Sequence, residues 1–188
     1  MRLALLLVSI IISLPSFAAW QLNNQQSRLS FISIKKTNVA EVHRFTQLSG
    51  ELSKNAKISM IIDLTSVDTG ITIRNERMQK FLFATDLFPQ AKFTASLSKE
   101  VLNNIAENSI ISVTGELSLH GMKQAITVDV MLVRVNDNKF VVSSMQPIII
   151  QAANFNLGAG VEKLQALAKL PSISKAVPVS FVLTFEKH

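Results

Sequence analysis

ISVTGELSLHGMKQAITVDVMLV, residues 111–133, alternates so regularly that it decides the fold class. Ile111, Val113, Gly115, Leu117 and Leu119 fall on one side of an extended chain, with Ser112, Thr114, Glu116, Ser118 and His120 on the other. After a turn at His120-Gly121 the pattern resumes, with Ile126, Val128, Val130 and Leu132 opposed by Thr127, Asp129, Met131 and Val133. A period of two marks a strand with one buried face, and two such strands across a short turn make a hairpin.

The same period extends outward in both directions. Downstream, Asn136-Asp137-Asn138 tolerates the left-handed geometry of a turn. Phe140 to Ile150 then predicts a strand interrupted by Pro147, and Val177 to Lys187 predicts the last, with Val179, Phe181, Leu183 and Phe185 on one face. Upstream, Ala91, Phe93, Ala95 and Leu97 share a face, as do Ile58, Met60, Ile62 and Leu64 of KISMIIDL. Glu41 to Leu52 predicts one strand, with Gly50 as a bulge or close-approach point, and Ser27 to Ile34 predicts the first, carrying Leu29, Phe31 and Ser33 on one side. Residues 99–108 are a polar connection.

Eight strands follow, arranged antiparallel and up-and-down because a turn is signalled after nearly every one. Their apolar faces must be buried between two packed sheets or inside a closed barrel. Eight is the strand number at which a barrel is either filled by side chains or holds one small ligand. Eleven Phe and six Met, with one Trp and no Tyr, supply apolar surface with few polar handles. These residues suit the lining of a lipid-like cavity and an ordinary filled core equally well.

Two stretches break the rhythm. Ser66 to Thr94, SVDTGITIRNERMQKFLFATDLFPQAKFT, begins with a turn at Asp68-Thr69-Gly70 and ends on Phe88-Pro89, which forces an extended chain. Between them a helix is predicted, with Ile73, Met78, Phe81 and Leu82 as its apolar stripe and Arg74, Arg77 and Lys80 on other faces. Thr69 or Thr72 is the expected cap. Arg74 and Arg77, three residues apart, project to neighbouring directions and suit a phosphate or carboxylate headgroup, or a solvated face with Glu76 as counter-charge. Ala159 to Leu170 is the second helical insert, with Val161, Leu164, Leu167 and Ala168 on one stripe, ended by Pro171.

The amino terminus carries Arg2, an apolar run from Leu3 to Leu14, Pro15, and then Ser16-Phe17-Ala18. That is the pattern of a secretory signal peptide spanning residues 1–18, cut before Ala19, and the run is shorter than the roughly 18 residues of a membrane span. Residues 19–188 are then one exported domain, expected in the periplasm and large enough to bury a core. Cysteine is absent, which removes disulfides, thiolate catalysis and thiolate metal ligation. The net charge of +6 is scattered, without the basic cluster and interleaved aromatics that nucleic acid needs.

No catalytic or metal-binding set assembles from spacing. Histidines occur at 43, 120 and 188, and Glu41 with His43 shares a strand face but lacks a third ligand. His120 reads as a turn residue. There is no G-x-S-x-G elbow, and Asp63, Asp68 and Glu76 read as a strand charge, a turn former and a helix-surface charge. The expectation is no metal, no cofactor and no enzyme.

Four motifs carry a family resemblance: S-V-D-T-G at 66–70, R-N-E-R-M at 74–78, F-P-x-A-x-F at 88–93 and G-E-L-S-L-H-G at 115–121. Together with N-F-N-L-G-A-G-V-E-K-L at 154–164 and V-P-V-S-F at 177–181, their order resembles the YceI-like family of bacterial periplasmic proteins. The chain departs from the better-known pattern at Asp86-Leu87-Phe88, where many members carry paired aromatics. The resemblance implies an eight-stranded antiparallel lipocalin-like barrel whose apolar cavity holds an isoprenoid chain or another long amphiphile, with no cofactor.

On strand parity the expected lining is Phe31, Phe45, Met60, Ile62, Phe93, Val113, Leu117, Val128, Val130, Phe140 and Phe181. Arg74, Arg77, Met78, Phe81 and Leu82 form the expected lid and headgroup contact. Such a protein is a carrier whose affinity is dominated by chain length, each isoprene unit contributing about 3 to 4 kcal/mol gross. The alternative is an exported β-domain with a packed interior whose surface binds a membrane-bound partner.

Overall fold

The computed structural model describes residues 18–98 and 109–187, and for Ala18 and Ala19 the backbone alone. The expected leader, the polar connection at 99–108 and His188 lie outside these residues. Among the described residues, twelve strand segments form one antiparallel sheet. They are β1 (Ala18–Leu22), β2 (Arg28–Lys35), β3 (Val39–Phe45), β4 (Leu48–Ser53), β5 (Lys57–Asp63), β6 (Val67–Asp68), β7 (Gln90–Ser96), β8 (Ser109–Leu119), β9 (Met122–Asn136), β10 (Lys139–Ser144), β11 (Ile148–Gln151) and β12 (Ala176–Lys187).

These segments make eight staves of a closed barrel. β1 continues into β2, β3 into β4, β5 into β6, and β10 into β11, each across a sharp bend. The staves then pair in chain order, and β12 returns to β1 through Gln21↔Glu186 and to β2 through Phe181↔Leu29. Closure leaves an inside and an outside, so every alternating strand has one place for its apolar face. The expected eight-stranded barrel is the fold.

The bends are where sequence reading fell short. β1 precedes the predicted first strand, and the bend after it is held by buried Thr184, whose Oγ1 donates to Gln26 O at 2.9 Å and whose backbone N–H donates to Ser27 Oγ at 3.0 Å. The predicted Glu41–Leu52 strand divides at Thr46-Gln47, because Ser66 Oγ accepts both of those backbone N–H groups, at 3.2 and 3.0 Å. Each capture satisfies a backbone N–H or C=O that the ladder cannot reach. Pro147 separates β10 from β11, as expected of a residue with no N–H to give. Gly50 is a close-approach point within an unbroken β4–β5 register: a Cβ there would lie 2.4 Å from Met60 Sδ.

Two helices sit at one end of the barrel, α1 (Thr72–Arg77) and α2 (Gly158–Leu167). α1 runs directly into a π-helical turn over Met78–Phe83, with Ala84 in the left-handed conformation at its end. Neither Thr69 nor Thr72 caps α1; Asn75 Oδ1 instead reaches back to accept from Thr69 N at 2.9 Å and Thr69 Oγ1 at 2.6 Å. α2 lies so close to the π turn that a Cβ on Gly160 would stand 2.7 Å from Phe81 O. The resembling motifs touch here too, for the Phe88 ring packs 4.7 Å from His120, in the left-handed turn with Gly121.

Candidate ligand cavity

Inside the barrel is a cavity of about 550 Å³, within the roughly 300–1,000 Å³ range of small-molecule sites. Its wall is built from the inward rows of the staves: Leu29, Phe31, Ser33 and Lys35 from β2, Ile126 to Leu132 from β9, and Val177 to Phe185 from β12, each at every second residue. The far end is closed by an aromatic floor. Trp20 meets Phe140 edge-on at 4.8 Å, and Phe140 stacks on Phe185 at 5.0 Å with 12° between the rings.

All eleven residues expected as lining do line this cavity. Two of them fill spaces that glycines leave: the Phe93 ring occupies the volume a Cβ on Gly115 would need, 2.4 Å away, and Met60 does the same over Gly50. Large inward side chains are thus laid against the wall, and the axis of the tube stays open.

The helical end differs from the lid that α-helical spacing predicts. Arg74, Arg77, Met78 and Leu82 line the cavity, but Phe81 does not, and Ile73 is half exposed. The cause is the π turn. Its i→i+5 bonding brings residues five apart onto one face, so Met78 and Phe83, both buried, point inward together and Phe81 is rotated away. Phe81 instead lies under the ammonium groups of Lys80 and Lys163, 5.5 and 5.8 Å from its centroid. Phe83 is the lining residue this spacing hid.

The polar lining is gathered at the same end. Glu41, on β3, accepts from Lys35 Nζ at 2.8 Å and from Arg74 Nη1 at 2.7 Å, both on one oxygen. Arg74 Nη2 also donates to Thr69 O at 2.6 Å, which fixes the guanidinium over the lumen. His43, 4% exposed, sits one inward position deeper, with Nε2 at 3.9 Å from the same Glu41 oxygen. Arg77 faces the cavity without a hydrogen-bond or carboxylate partner among the described residues. Buried polar atoms are normally satisfied, yet His43 Nδ1 and Arg74 Nε are not.

Electrostatics follow from this packing. The hydrogen bond from Lys35, helped by Arg74, holds Glu41 below the usual carboxylate range. Burial, reinforced by Arg74, pushes His43 below the usual imidazole value, so the neutral ring is favoured. One carboxylate therefore faces three cationic side chains, Lys35, Arg74 and Arg77, around a neutral histidine. Glu41 and His43 do share a face as expected, but no third metal-ligating group joins them among the described residues.

The sequence matches the model of the YceI-like domain over residues 20–185. In a solved structure, a polyisoprenoid-binding domain from Saccharophagus degradans implicated in plant cell wall breakdown is 38% identical, with a TM-score of 0.88 over 91% of this chain and 99% of that one. Burkholderia cenocepacia BcnA is 24% identical at a TM-score of 0.66, over 87% and 98% of the two chains. A Campylobacter jejuni YCEI protein is 19% identical at 0.57, over 78% and 85%. No curated protein matches the sequence.

Proposed function

The chain belongs to the YceI-like family, and from that premise we propose that it is an exported periplasmic carrier that holds one long apolar amphiphile, an isoprenoid or a chain of similar shape. The observation that carries this reading is the pairing of a blunt-ended apolar tube of about 550 Å³ with a cationic collar at one end. Burial of each methylene contributes about 0.8 kcal/mol, against an association cost of about 4 to 15 kcal/mol, so only a long chain binds well. The tail occupies the space between Phe93, Val113, Val128 and Phe181, with its end toward Phe140.

Arg77 and Arg74 receive the polar head. Arg77 has charge and no partner among the described residues, Arg74 has an unsatisfied Nε, and His43 offers Nδ1 as a further polar contact. The family's S. degradans member is described as polyisoprenoid-binding, which supports the same class of tail here. The open lumen favours a carrier over an interaction module with a packed interior. The activity proposed is binding alone.

The test is native mass spectrometry of protein purified from its own periplasm without detergent, followed by solvent extraction. A retained mass of one long-chain amphiphile per barrel is expected. Protein that is consistently empty, and that takes up no chain when offered isoprenoid alcohols and phosphates, ends this reading.

A further inference from the structure

We propose that the rim of the cavity mouth is a docking surface for an anionic lipid bilayer. The inward row of β3 climbs out of the lumen through Phe45, His43 and Glu41 to Val39, and exposure rises from 4% at His43 to 42% at Val39. On α1, Ile73 lies one turn before the cavity-lining Arg77, on the same face, and is 51% exposed; Ile71, just ahead of it, is 49% exposed. After α2, Ala168 and Leu170 line the cavity on either side of exposed Lys169.

These pieces form one continuous rim. Glu41 ties β3 to Arg74 of α1, while the β2–β3 turn is tied to the segment after α2 by Lys36 N donating to Ser172 O at 3.1 Å and Thr37 N to Ser172 Oγ at 3.2 Å. The rim is also basic. Residues 35–44, 68–86 and 158–175 hold nine of the chain's 19 Lys and Arg but only five of its 13 Asp and Glu. Glu41, Asp68 and Glu162 are consumed by ion pairs, which leaves Glu76 and Asp86 against Lys36, Arg77, Lys80, Lys163 and Lys169, none with a carboxylate partner among the described residues.

Apolar side chains set singly between lysines suit a fluid anionic surface, in which each apolar group sinks to its own depth and the ammonium groups stay at the headgroups. A rigid protein partner would need them gathered into one patch. The purpose, passing cargo between bilayer and lumen without exposing its chain to water, rests on the carrier reading. The docking rests on the rim alone.

Flotation with vesicles of phosphatidylcholine, alone or mixed with phosphatidylglycerol, tests it without any cargo assay, so failure to dock and failure to carry are scored separately. Binding to the mixed vesicles only, released by salt, is expected. Lys36→Glu and Lys169→Glu each lower it about fivefold; Lys54→Glu and Lys57→Glu, at the floor end, leave it unchanged. In a Trp20→Phe background, Val39→Trp and Ile73→Trp fluorescence is quenched by brominated lipid, whereas Trp20 of the native protein is not. Equal binding to neutral vesicles, equal loss at the floor lysines, quenching of Trp20, or no binding to any vesicle overturns the proposal.

Discussion

Arg74 and Glu41 stand 33 positions apart in the chain, and their side chains meet at 2.7 Å over the cavity mouth. The pair joins α1 to β3, and it makes Glu41 the competitor of any acidic head for the same guanidinium. Glu41→Gln is therefore expected to strengthen binding of a long alkyl phosphate about tenfold, in line with the roughly 1.5–3 kcal/mol of a charged hydrogen bond, while the alkanol of equal length is unaffected. Titration calorimetry of the two ligands decides it. Weaker phosphate binding would mean that Glu41 positions Arg74 for the head.

Arg74→Gln with Arg77→Gln should abolish the preference for phosphate over alkanol and leave alkanol affinity within about twofold, because the tail supplies most of the binding energy. An unchanged preference would remove the headgroup role and leave the helical end as a structural lid.

Filling the lumen should block cargo without unfolding the barrel. Val128→Trp places a large ring across the cavity, in space that is empty, so thermal midpoint is expected to fall only slightly while uptake of a long chain is lost. If uptake persists, the chain lies elsewhere.

Glycine substitutions should divide by what a Cβ would meet. Gly115→Ala drives a methyl group to 2.4 Å from Phe93 and 2.5 Å from Thr94 O, and a cost of about 1–3 kcal/mol is expected. Gly158→Ala, at the start of α2 with nothing within 4 Å, should be neutral or stabilising by up to about 1 kcal/mol. Urea denaturation compares them directly.

Stability should fall in two steps on acidification. Buried His43 resists protonation when folded, so the unfolded chain binds more protons as pH drops below about 6.5, and the stabilisation present above that pH is lost. Glu41, held low by Lys35 and Arg74, contributes above the ordinary Glu range and loses its contribution as pH falls below about 4.3. His43→Gln should remove the first step and keep the second. Parallel profiles for the two proteins would show that other groups set the acid limb.

Parity along 111–133 was enough to give strand, face and hairpin, because in an extended chain the direction of a side chain depends only on its own position in the alternation. The same local rule, repeated in β2, β5, β7, β9 and β12, gave a barrel and its inward residues from Phe31 to Phe181. It could not give the bends at Gln26 and Thr46, where Thr184 arrives from far along the chain to donate to Gln26 O and Ser27 Oγ, and Ser66 to accept the freed N–H groups.

Nor could it give the mouth. The lid's facing was set by a π turn whose five-residue period is absent from α-helical spacing, so Phe83 entered the lumen and Phe81 left it. Arg74 and Arg77 were legible as a charged pair, but the partner that separates them, Glu41, which binds Arg74 and leaves Arg77 without a carboxylate among the described residues, belongs to β3. The sequence by itself determined which residues face inward, since alternation is local. Only the tertiary structure decided that the interior is open and that its charge collects at one end, because both depend on how Gly115 and Gly50 let Phe93 and Met60 lie against the wall and on which distant side chains meet above it.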